Sequence, residues 1–285
     1  MVDTARRLLD SLSEEEKQLA VFPADSDDCR KWSNPELILY ECGIRLEHLE
    51  ENKIYLILEL LRSSLSEKGF AKVRGAMKTN KFLGHICERQ AILNEYSYCG
   101  PDEGVEICAE EGRLGLQLMQ SLAPKHQQKA QTYVKMHDPV MPKGRYNPAD
   151  QRHLAGAFQD NRVIPYEGVL AQNLTKEQQD LLMAIVAEFL ILLPSKPLAI
   201  RLQQIRSWIC ETYFSWIGGY GPDDPFYYRI QSPVVLLEFD HHSGVFLTNE
   251  EPAKYHIHTI QRLPNGNDYG KEVKRMALLA AESRS

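Results

Sequence analysis

Apolar and polar positions along the chain follow a helical period first and alternate only near the end. In "LEENKIYLILELLRSSLSEKGFAKV" (49–73), Leu56, Leu60 and Leu61 fall on one helical face, and Gly69 supplies a break. In "LTKEQQDLLMAIVAEFLILLP" (174–194), Thr175 is a capping residue, Glu177 sits in the first turn and Pro194 ends the pattern. The N-terminal "MVDTARRLLDSLSEEEKQLA" is amphipathic and acidic. After Cys210 the period changes to two: "ETYFSWIGG", "PFYYRIQ", "PVVLLEFDHH" and "YHIHTIQR" are rich in aromatic and β-branched residues and bounded by Gly, Pro and Asp. A turn, "NGNDYG", and a helix from Lys271 close the chain. Helices followed by an antiparallel C-terminal sheet make the expected class α+β.

The helical patterns recur. "LLDSLSEEEKQLA" (8–20) aligns with "LMQSLAPKHQQKA" (118–130), and residues 43–66 align with 168–191, in the same order. Two pseudo-duplicated helical halves are therefore expected, with chance likeness between amphipathic helices as the competing explanation. The boundaries are placed at 1–112, a helical half without a sheet, and 113–285, helices followed by strands. Between them and the sheet, residues 136–165 are rich in Pro, Gly, Asn and Asp and predict a long irregular segment, which in a compact domain is often functional.

Composition narrows the function classes. Hydrophobic residues are 43% and charged residues 25% of 285, a globular balance, and the net charge of −6 argues against nucleic acid or an anionic membrane as partner. The longest apolar run is interrupted by Glu188 and is too short to span a bilayer. The N-terminus lacks the features of a secretory signal, and six scattered cysteines form no C-x-x-C pair, so a cytoplasmic location with reduced thiols is expected. The sequence contains no nucleophile elbow, phosphate loop, dinucleotide fingerprint or H-E-x-x-H.

The chemistry concentrates in "EFDHHSGVFLTNEEPAKYHIHTIQR" (238–262). Alternation along a strand puts Glu238, Asp240 and His242 on one face and His241 on the other, while His256 and His258 project together. If the two strands pair as a hairpin, Asp240, His256 and His258 form a two-histidine, one-carboxylate set suited to iron, with zinc or copper as alternatives, and His242 is a spare ligand or supporting partner. Equal weight goes to hydrogen-bonded histidines at strand ends, and metal-free acid–base work by the histidines is a third reading. Arg229 and Arg262 are candidate carboxylate clamps for a small-molecule ligand. An ion pair within the fold competes for each arginine and is favoured for Arg262. Tyr213, Trp216, Tyr227 and Tyr228 line either a ligand wall or the core. His241 is expected to face solvent, and His126, His137 and His153 to be solvated. Asn267 and Asp268 are expected to make a turn.

"FSWIGG", "YYRIQSPVVLLEFDHHSG" and "YHIHTIQRLPNGNDYG", with "LLDSLSEEEKQLAVFP" and "LLRSSLSEKGFAK" upstream, resemble the family grouped as domain of unknown function 3500, and "HIHTIQRLPNGNDYGK" is similar to its fungal branch. The resemblance covers nearly the whole chain. It implies no reaction, but it implies that Asp240, His256, His258, Arg262 and Asp268 belong to the family's motif. It also implies a first half that ends in strands carrying a Trp-Gly-Trp segment and a Gly-His-His motif. Here residues 94–119 run from a strand start at Tyr96 almost straight into the next helix, so that sheet is expected to be missing. Three readings stay open: a site built from the second half alone, a relative that binds without catalysing, and a truncated coding sequence. The functional expectation is a metal-dependent enzyme acting on a small organic molecule, with a non-catalytic ligand- or protein-binding relative as the alternative. An exposed sheet edge would make a homodimer the expected assembly.

Overall fold

The computed structural model describes residues 1–23, 26–32, 34, 43–86, 105–156, 164–244, 249–264 and 268–282. They fall into two compact units, 1–109 with 190–199, and 110–189 with 200–285. The strand start expected at Tyr96 and the turn residue Asn267 lie outside the described residues.

The first unit is helical: α1 (Val2–Ser11), α2 (Glu14–Ala20), α3 (Glu51–Ser64) and α4 (Glu67–Ile86). Ser13 opens α2 with a capping box. Its hydroxyl accepts from the Glu16 N–H while the Glu16 carboxylate accepts from the Ser13 N–H, so two donors at the helix start are satisfied at once. Lys53 of α3 donates to both oxygens of Glu16 at 2.8 Å and fastens the two helices together.

The second unit carries α5 (Ala109–Ser121), α6 (Pro124–Ala130), β1 (Gln131–Tyr133), β2 (Val169–Leu170) and α7 (Lys176–Phe189). These are followed by α8 (Ser195–Ser207), of which residues 200–207 fall in this unit, and by β3 (Tyr213–Gly218), β4 (Phe226–Gln231), β5 (Leu236–His241), β6 (Ile257–Arg262) and α9 (Lys271–Glu282). As expected, Thr175 caps α7, its hydroxyl accepting from the Gln178 N–H. The class is α+β. The four long strands form an antiparallel ladder in the order β3-β4-β5-β6. Two short strands join the free edge of β3, β1 parallel to it and β2 antiparallel, so the sheet is mixed rather than purely antiparallel. Runs of three and two residues are too short for any alternation to be visible.

The sheet has two unlike faces. On one, Phe214, Trp216, Phe226, Tyr228 and Phe239 stack, Trp216 on Phe226 at 4.4 Å and Tyr228 on Phe239 at 5.2 Å. Helix α5 lies on this face because Gly115 leaves room for it: a Cβ there would overlap the Tyr228 ring. The Tyr228 hydroxyl donates to the Glu111 carbonyl, so the buried phenol is satisfied.

The other face is polar and just as buried, presenting Ser215, Tyr227, Arg229, Gln231, Glu238 and Asp240. A charge withdrawn from water costs several kcal/mol unless paired and hydrogen-bonded. The irregular segment between β1 and β2 supplies those partners. Both its ends are anchored on β3, and among its described residues Arg152, Leu154, Ala155, Ile164, Pro165 and Glu167 reach the charged face.

Candidate metal centre

The site is built on the β5–β6 hairpin. Cross-strand register puts Asp240 opposite His258 and Glu238 opposite Ile260. The pairing continues past β5, with the His242 N–H donating to the His256 carbonyl at 2.8 Å. Alternation therefore sends Glu238, Asp240 and His242 to one side, with His258 beside them.

The covering segment enters through a tight turn. Gln151 has φ 48, a backbone conformation uncommon for residues other than glycine. It is held there by its own side chain, whose Nε2 donates to Ser243 Oγ at 2.9 Å while Oε1 accepts from the Ser243 N–H at 3.1 Å. The turn delivers Arg152 and His153 to the hairpin. Arg152 Nε donates to Asp240 Oδ1 at 2.6 Å, and its Nη2 donates to the His241 carbonyl at 2.7 Å. The next two residues, Leu154 and Ala155, donate backbone N–H groups to Glu238 at 2.9 and 3.0 Å, and the Tyr227 hydroxyl donates to the same carboxylate at 2.6 Å.

Burial alone would raise both carboxyls. Arg152 and His242 outweigh it at Asp240 and hold that group well below the usual carboxylate range. At Glu238, His153, Arg229 and Tyr227 hold the carboxyl down to about 2. Both are carboxylates at neutral pH. Burial pushes His242 and His241 down to about 4, and burial together with the neighbouring imidazoles pushes His258 down to about 2. These three imidazoles are neutral at pH 7, the form that ligates metals.

His153, Asp240 and His242 make a buried group that could hold a metal ion, their ligand atoms all within 4.8 Å of one another. Three observations bear on the fit. Neither ring nitrogen of His153 has a hydrogen-bond partner, although its side chain is cut off from solvent. His242 Nε2 comes within 3.1 Å of Asp240 Oδ2 without the alignment of a hydrogen bond. Glu238 Oε2 stands 3.7 Å from His153 Nδ1, on the side where a carboxylate orients a ligating imidazole. Orphaned imidazole nitrogens facing a carboxylate are costly by themselves and natural around a cation. Two nitrogens and one oxygen leave coordination positions open for water or a ligand.

His256 and His258 stand beside this group. Their Nε2 atoms are 2.9 Å apart, and the His258 ring stacks on that of His242 with centroids 3.8 Å apart and planes 7° from parallel. All six sequence candidates are thus located. Asp240, His242, His256 and His258 come together. Arg229 extends from β4 beside Glu238, with Nη2 on the Pro165 carbonyl and Glu167 (2.8 Å) and Nη1 without a partner. Arg262 lies further along β6, its Nε 3.3 Å from Asp268 Oδ2 and its Nη1 donating to the Tyr269 hydroxyl.

The structure corrects two expectations. His153 is buried at the centre rather than solvated, because the covering turn carries it onto the sheet. His241 is buried rather than solvent-facing, and its Nδ1 accepts from the Phe226 N–H within the aromatic face. Of the four aromatics considered as a ligand wall, Trp216 and Tyr228 belong to that opposite face, while Tyr227 belongs to the site. His137 is exposed and stacks on Tyr146.

No curated protein matches the chain, and no solved structure does. A family match is found over residues 1–99 and again over 94–271, together nearly the whole chain, and its description is "Protein of unknown function (DUF3500)". The chain carrying this buried histidine–aspartate centre belongs to that family.

Proposed function

We propose that the protein is a metal-dependent enzyme acting on a small organic molecule, with an ion held by His153, Asp240 and His242. The observation that carries this reading is the pair of buried imidazoles with unpartnered nitrogens converging on a carboxylate. Iron(II) suits two histidines and one carboxylate with open positions, and zinc or copper can use the same donors. Such an ion polarises a bound oxygen or lowers the pKa of a bound water. Arg152 orients Asp240, Glu238 orients His153, and Arg229 offers an unpartnered Nη1 to an anionic group of the ligand.

The site described belongs wholly to the second unit. The order of elements supports two related halves, since a helix pair, a short 3-10 turn and a second helix pair occur in both 2–86 and 109–207. The two family matches, 1–99 and 94–271, overlap at 94–99, beside the stretch where a first-half sheet would stand.

A second reading is favoured by the ion pair between Arg152 and Asp240. A carboxylate already neutralised by a guanidinium needs no cation, and the cluster would then be a polar core in a relative that binds without catalysing. Metal analysis of protein purified without a nickel column, then exposed anaerobically to iron(II) or aerobically to zinc, separates the two. About one or more equivalents per chain is expected, with the ion at His153, Asp240 and His242 lost in His153→Ala and in His242→Ala. Trace metal under both conditions overturns the enzyme reading.

A further inference from the structure

We propose that the centre is dinuclear, with a second cation held by His256 and His258 beside the one at His153, Asp240 and His242. The inference rests on the metal-centre reading above and goes beyond it by assigning a second site.

The argument starts from the direction of a lone pair. An imidazole nitrogen binds a metal in the plane of its ring. The rings of His242 and His258 are 7° from parallel with centroids 3.8 Å apart, so their planes do not meet near either ring. One ion cannot lie in both planes. If His242 ligates an ion together with Asp240 Oδ2, 3.1 Å from its Nε2, then His258 cannot reach that ion in line.

His258 has a partner of its own. Its Nε2 is 2.9 Å from His256 Nε2, and the two rings are tilted by 52°, so their planes do intersect. A metal about 2.1 Å from each of two ligand atoms separates them by roughly 3 Å at an octahedral right angle and by roughly 3.4 Å at zinc's tetrahedral angle. The two ligand pairs, at 2.9 and 3.1 Å, lie near the octahedral spacing and open slightly to take zinc. With the two ligand nitrogens pointing the same way, the stacked rings would hold ions about as far apart as themselves. Two-metal sites place their ions about 3.5–4 Å apart to clamp one substrate between them. The second site is also the more open one, since His256 and His258 are only partly buried whereas His153, Asp240 and His242 are fully so. The outer ion would meet a substrate first, with the inner one behind it. The competing arrangement is a single N–H···N hydrogen bond between His256 and His258.

The test is zinc stoichiometry on the full chain after metal removal, with His258→Ala, His256→Gln and His153→Ala alongside. Two equivalents in the wild type, falling to one in each variant, are expected. Zinc-soaked crystals of the wild type should show two anomalous peaks about 3.5–4 Å apart, which decides the matter even if a variant fails to fold. One equivalent that survives in both His258→Ala and His256→Gln but disappears in His153→Ala overturns the second site and leaves the proposed function standing. No zinc in the wild type overturns both.

Discussion

Arg152 and Asp240, 88 residues apart in sequence, form an ion pair at 2.6 Å from which solvent is excluded on both sides. Removing one member of a buried pair strands the other charge, which costs about 3–5 kcal/mol. Arg152→Met should therefore lower the stability of the metal-free protein by about that amount, read by urea unfolding. The double variant Arg152→Met with Asp240→Leu should lose less than Arg152→Met alone. A loss in Arg152→Met below about 1 kcal/mol, the range of an exposed pair, would show that water reaches Asp240.

Zinc should stabilise the second unit. A ligand at 100 times its dissociation constant contributes about 2.7 kcal/mol to the state that binds it. Heating followed by near-ultraviolet circular dichroism of the stacked aromatics should show a rise of about 5 °C or more on adding zinc to chelator-treated protein. The rise should be smaller in the variant lacking both imidazoles of the inner site, His153→Ala with His242→Ala. An unchanged midpoint in the wild type would favour the non-catalytic reading.

Tyr227 holds Glu238 by a 2.6 Å hydrogen bond, and burial keeps the phenol protonated so that it can donate. Tyr227→Phe keeps the ring and removes the donor. A hydrogen bond to a buried charge contributes about 1.5–3 kcal/mol, and that loss is expected in urea unfolding. Zinc affinity should weaken as well, because Glu238 faces His153. Full retention of both properties would mean that the two backbone N–H groups suffice for Glu238.

Gly115 tests the opposite face. Any side chain there meets the Tyr228 ring. Gly115→Leu should cost about 1–3 kcal/mol by overpacking, whereas a neighbouring exposed position such as Gln117→Leu should change stability by less than about 0.5 kcal/mol. Equal effects would show that α5 does not rest on Tyr228.

The strands of the ladder were legible because each alternates over six residues or more between Gly, Pro and Asp. Alternation also placed Glu238, Asp240 and His242 on one face, and the H-x-H spacing marked His256 and His258. His153 was not legible. It sits in an irregular segment with no period, and its partner lies far along the chain, so nothing local ties it to the hairpin. The available signal was a charge imbalance. Two carboxylates on one strand flanked by apolar residues require cationic or N–H partners from elsewhere, and "QRH" in a segment already marked as long and irregular was a candidate source. His241 misled because a histidine opposite a carboxylate-bearing face looks solvent-exposed. The aromatic rings against it are Phe226 of the neighbouring strand and Phe239 of its own.

The segment that carries Arg152 and His153 leaves the sheet at β1 and returns at β2, and both of these ladders are formed with β3. A protease nick between Met136 and Gln151 would thus release no fragment, since each stub would remain stitched to the same strand. Cleaved protein should co-elute as one particle with its secondary structure intact, while Arg152 would keep its tether to β2 and lose the one to β1.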